Sequence, residues 1–122
     1  MSFQSYHEIE SWREARCLTQ NVYEITSKGP LQKDFGLRDQ MQRSSVSVMS
    51  NIAEGFGRGS NRDFIRFLKY ARGSLLELQS QLYVAVDVGY IHKDRFQRLL
   101  ERCRTIARLI NGLIRYLEES DR

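Results

Sequence analysis

Apolar residues recur along this chain at steps of three and four, the period of a helix and not of a strand. Four segments carry the pattern. The first spans about 6–27, where Ala15, Leu18, Val22 and Ile25 share one face with Ile9 and Trp12 on its flank. Lys28-Gly29-Pro30 closes it, because glycine suits a C-terminal cap and proline cannot extend a helix. The second spans about 36–56, with Leu37, Met41, Val48 and Ile52 in one stripe. Its run Ser44-Ser45-Val46-Ser47-Val48 makes it the weakest helix former of the four, and Gly55, Gly57 and Gly59 stop it. The third spans about 61–88 and opens on Ser60 and Asp63, a capping-box variant. Within it Phe64, Leu68, Ala71, Leu75, Leu78, Leu82 and Ala85 alternate steps of four and three, a heptad seam that Gly89 ends. The fourth spans about 93–119 on a similar seam: Phe96, Leu100, Cys103, Ala107, Ile110, Ile114 and Leu117. Short connections force neighbouring helices to run antiparallel. The pattern therefore predicts an all-α fold, an up-down-up-down antiparallel four-helix bundle in which residues 1–122 form a single domain.

Composition adds limits rather than an activity. Of the 122 residues, 41% are apolar and 28% charged, which is ordinary for a folded domain, and the net charge of +4 suits an anionic partner. No apolar run approaches the ~18 residues of a membrane span. The first residues show no basic region followed by an apolar core, and Cys17 and Cys103 sit at no metal spacing, so a reducing, cytoplasmic location is expected. The search for chemistry predicts no catalytic residues, no metal site and no cofactor. His7 and His92 lie far apart, and Glu-x-x-His and nucleophile-elbow motifs are absent. Gly55-x-Gly57-x-Gly59-Ser60 lacks the Walker lysine and follows a helix, not a strand. Cys17 and Cys103 read as packing residues.

The motif Phe35-Gly36-Leu37, then Gln40, then Ser50-Asn51-Ile52-Ala53-Glu54-Gly55-Phe56-Gly57-Arg58, then Phe64, then Ala71-Arg72-Gly73-Ser74 and Glu77 resembles the 23S rRNA intervening-sequence proteins, small four-helix bundle proteins of bacteria. The resemblance covers the chain from Trp12 to Leu117. It implies an up-down bundle assembled as a homopentameric ring, and it implies no established enzyme activity. Some members are encoded in reading frames that interrupt large-subunit ribosomal RNA genes. Two positions depart from the family pattern: Met49 stands where a mid-helix proline is usual, and His92 and Arg95 open the fourth helix where a serine or threonine cap and an acidic turn are common.

Second stripes run beside the heptad seams. Ile65, Leu76, Tyr83, Val86 and Tyr90 flank the third helix, and Leu99, Ile106 and Leu113, with Tyr116, flank the fourth. Either the core face is wide or these flanks contact other subunits. The resemblance favours subunit contacts, so Ile65, Leu76, Tyr83, Leu99, Ile106 and Leu113 are the interface candidates. On the second helix Gln40, Arg43, Ser47, Asn51, Glu54 and Arg58 form a polar stripe. A solvated face would explain it. The motif favours a partly buried network of Asn51, Glu54, Arg72 and Glu77, with Glu54 paired to Arg72 or Arg43.

Arginines supply the remaining signal. Arg58 and Arg62 flank the start of the third helix, Arg66 and Lys69 continue along it, and Arg98 and Arg102 share a flank of the fourth. Such residues hold phosphates without reading sequence. Phe56, Tyr70 and Tyr83 could stack on bases, although packing explains each more cheaply. The acidic tail Glu118-Glu119-Ser120-Asp121 is expected to fray. Two functions follow as expectations: a non-enzymatic oligomer binding RNA or DNA, structured RNA in particular, or a scaffold whose partner is another protein.

Overall fold

The computed structural model describes residues 3–120. It is all helical there: a 3₁₀ turn at Tyr6–Glu8, then α1 (Glu10–Thr26), α2 (Gly29–Lys33), α3 (Phe35–Gly57), α4 (Asn61–Asp87) and α5 (Lys93–Ser120). The four long helices are those the apolar period predicts. α1 and α4 each pack against both α3 and α5, and the buried side chains merge into one core from Ile9 to Leu117.

Differences from the sequence reading fall at helix ends. The first segment is broken: the Ser5 hydroxyl accepts from the His7 amide at 3.1 Å and starts the short turn. Ile9 then leaves helical geometry at φ −79°, ψ 118° before α1 begins. Pro30 ends one helix and also starts another, since its fixed φ suits a first turn. The α2 turn it starts buries Leu31. Gly55 and Gly57 do not stop the second segment, because α3 runs through both and the chain turns at Gly59, φ +86°. At the end of α4, Gly89 (φ +83°) closes a Schellman motif: its amide donates to Val86 O at 3.1 Å and that of Tyr90 to Ala85 O at 2.8 Å. His92 takes the role of the missing serine cap, its Nδ1 accepting from the Asp94 amide at 3.2 Å. The acidic tail stays helical through Ser120, and Asp121 lies outside the described residues.

Small residues decide how α3 meets α4. Ser44, Ser47, Asn51 and Gly55 line the α3 side, and the Ser47 and Ser74 hydroxyls meet at 2.8 Å across the seam. A Cβ on Gly55 would lie 2.6 Å from the Phe67 Cβ and 3.3 Å from the Phe64 carbonyl oxygen, so only glycine fits this approach. The serine-rich run that weakens α3 as an isolated helix is the same run that lets its neighbours close in. Ser45 returns its hydroxyl to Gln42 O at 3.0 Å, while its carbonyl accepts from Thr19 of α1 at 3.1 Å.

Candidate nucleic-acid interface

The outer face of α4 over its first three turns gathers Arg62, Arg66 and Lys69 into a basic surface. Ser60 caps the helix, its hydroxyl accepting from the Asp63 amide at 3.2 Å. A shallow depression of about 620 Å³ follows, lined by Ser60, Arg62, Asp63, Ile65, Arg66, Lys69 and Tyr70. The Arg66 guanidinium is held from several sides. It donates to Asp63 Oδ1 at 3.1 Å and lies 4.8 Å from the Phe67 ring centre and 5.9 Å from that of Tyr70. Its pKa rises above the ordinary arginine value through Tyr70 first and Asp63 next, and Arg66 in turn holds the Asp63 carboxyl below the usual aspartate value. Phe67 receives a second cation, Arg58, at 4.8 Å. Tyr70 stands edge-on to Phe67, centroids 5.4 Å apart at 78°, and is 50% exposed.

The predicted basic residues therefore divide. Arg58 pairs with Glu54 at 2.7 Å, Arg66 with Asp63, and Arg102 with Glu14 at 3.1 Å. Arg62, Lys69 and Arg98 are in no ion pair among the described residues. Arg98 and Arg102 lie on α5 and do not line the α4 depression. Asp63 and Phe67, which organise the cluster, were not among the sequence candidates. The Arg66-to-Tyr70 spacing of four residues is the signal that places those two side chains together.

The expected buried network is corrected. Glu54 is exposed and bonds Arg58 one turn on, not Arg72 or Arg43, because its position on α3 faces away from the core. Arg72 instead reaches Asn111 of α5 at 2.7 Å. Asn51 donates to the Ser47 carbonyl at 2.9 Å and hydroxyl at 3.0 Å, joining the α3–α4 seam without Glu54. Glu77 is exposed and lines a depression with Arg43 and Tyr23.

The second stripes separate in the same way. Leu99, Ile106 and Leu113 are buried inside the subunit, so on α5 the wide core face accounts for them and they are not free for subunit contact. On α4, Ile65 is half-buried, while Leu76 is 61% and Tyr83 48% exposed, with Val84 and Val88 beside them. No group of three or more potential metal-ligating side chains exists among the described residues. Burial pushes the Cys103 thiol up to about 12, so it stays protonated at neutral pH, whereas Cys17 is exposed.

Fold and surface together define an all-helical protein with one shared apolar core, a compact basic face at the start of α4 and an apolar strip further along it. The family model of the 23S rRNA-intervening sequence proteins matches residues 7–112, and the chain belongs to that family. A solved structure from Bacteroides thetaiotaomicron, described as a protein with unknown function from the S23 ribosomal protein family, is similar to it at TM-score 0.77 and 22% identity, covering 85% of this chain and 97% of that one. At that identity the likeness concerns the fold. No curated protein matches. None of the described helices is long and apolar enough to cross a membrane.

Proposed function

We propose that this protein is a non-enzymatic, cytoplasmic, homo-oligomeric helical bundle that binds nucleic acid, structured RNA in particular, through the basic face of α4. The long helices run up-down-up-down and the subunits close into a ring, a homopentamer. The carrying observation is the pair Arg62 and Lys69, two cations in no ion pair among the described residues, on a face where the neighbouring carboxylate is already held by Arg66. Ring closure would repeat that face around an axis and raise avidity without new contacts. Leu76, Tyr83, Val84 and Val88 supply an apolar strip for the subunit contact.

Fluorescence polarisation with a structured RNA tests the reading. Two phosphate contacts per site predict about a tenfold loss of affinity between about 50 and 200 mM salt. Absence of binding at the lower concentration would overturn it. Molar mass measured with and without nuclease tests the ring. The second reading, a scaffold for a protein partner, is favoured by the apolar strip alone, and a partner recovered after nuclease treatment would select it.

A further inference from the structure

We infer that the α4 depression takes an unpaired nucleotide, with the base laid against Tyr70 and the adjoining phosphates on Arg62 and Lys69. The inference rests on the nucleic-acid reading above and specifies which form of nucleic acid the site accepts.

Charge singles out this depression. It holds Arg62, Arg66 and Lys69 against Asp63 alone, a balance of two positive charges. The depression beside Tyr23 sets Arg43 against Asp39 and Glu77, and the one at the α4–α5 turn sets Lys93 against Asp87. Aromatic side chains line all three, so the aromatic content does not distinguish them; the excess of cations does.

Geometry then fixes the form of the ligand. Tyr70 is half exposed yet held, by Phe67 at its edge and by the Arg66 guanidinium 5.9 Å from its centre. A ring already oriented loses little freedom when a base stacks on it. Arg66 is committed to Asp63, Phe67 and Tyr70, so it acts as a positioning residue, and Arg62 and Lys69 remain for phosphates. They are seven residues apart, about 10 Å along the helix axis. A paired base keeps its faces inside its own stack, and a side chain on the outer face of a helix reaches only bases that have left it. The four groups therefore fit a loop, a bulge or a single strand and leave a duplex only its phosphates to offer.

Polarisation titrations with three probes of equal length test this: an RNA hairpin with an unpaired loop, a blunt RNA duplex, and an unstructured single-stranded DNA that contains the loop sequence. The loop should bind at least about fivefold more tightly than the duplex, the lower end of what one stacked base provides. The DNA should match the loop, since no group at the site reads the sugar. Tyr70→Leu should remove the preference and leave duplex binding intact, and Tyr70→Phe should retain it. Arg62→Ala with Lys69→Ala should weaken all three probes together. Equal affinity of the wild-type protein for loop and duplex would overturn the inference while leaving nucleic-acid binding in place, as would weak DNA binding or a Tyr70→Leu variant that keeps the preference. Failure of every probe to bind at low salt would remove both.

Discussion

Gly55→Ala measures the contact on which the α3–α4 packing depends. The added Cβ would stand 2.6 Å from the Phe67 Cβ, about 1 Å inside ordinary carbon–carbon contact. Phe67 cannot relieve this by changing rotamer, because its Cβ is fixed to the backbone, and the Phe64 carbonyl at 3.3 Å closes the other route. The two helices must therefore separate along a seam that also carries the Ser47–Ser74 hydrogen bond. Overpacking of this kind costs about 1–3 kcal/mol. Alanine returns up to about 1 kcal/mol through its higher helix propensity. With the full return the net loss is about 0–2 kcal/mol, which in a chain of this size lowers Tm by up to roughly 10 °C, against a rise in the controls. Gly57→Ala and Gly73→Ala are the controls. Both positions are helical, neither has positive φ, and an added Cβ meets nothing within 4 Å at either. There the propensity gain stands alone and Tm should rise by a few degrees. Circular dichroism melts of the three variants decide the matter. A Gly55→Ala protein that melts above the wild-type temperature, in step with the controls, would refute the close-approach reasoning.

Ile106→Ala should cost about 2–5 kcal/mol in a denaturant titration, because that side chain is fully buried within the subunit. Leu76→Glu, at an exposed site, should leave the helical content of the subunit unchanged and lower the molar mass seen by light scattering; an unchanged mass would exclude Leu76 from the subunit contact. Glu54→Gln removes only an exposed pair within one helix, so a stability change of about 0.5 kcal/mol or less is expected, and a larger fall in Tm would show a partner that Arg58 does not represent. The phenol of Tyr90 donates to Asp34 Oδ2 at 3.0 Å, and that bond raises its pKa above the ordinary tyrosine value. A raised folded pKa means stability that is fully present below the unfolded value, about 10, and lost as pH climbs through the folded one. Wild type should therefore outlast Tyr90→Phe in thermal melts at pH 8, and the difference should vanish at strongly alkaline pH.

The four long helices were legible because each carries an apolar face with a helical period, and burial follows that face closely: Ala15, Leu18 and Val22 on α1 and Leu68, Ala71, Leu75, Leu78 and Leu82 on α4 are all buried. What could not be read were properties that arise only between helices. Gly55 looks like a breaker in one dimension and is a contact point in three. Leu99, Ile106 and Leu113 look like a second face until the width of the shared core is known. Among the site residues, positions along α4 were readable and charge partners were not. Whether an arginine stays available depends on carboxylates that local geometry delivers, Asp63 to Arg66 and Glu54 to Arg58, or that another helix brings, Glu14 to Arg102.

Asp34 ties together two events of different chain separation. Its Oδ1 accepts from the Leu37 amide at 3.2 Å, three residues away, while its Oδ2 accepts from Tyr90 across 56 residues. The first bond needs only a local turn and can form as soon as α3 nucleates. The second must wait for a long loop to close, with its entropy cost. In refolding kinetics a conservative change at Tyr90 should act mainly on the unfolding rate, and one at Asp34 should divide between the folding and unfolding limbs. A single carboxylate thus records both the beginning and the completion of the chain's collapse.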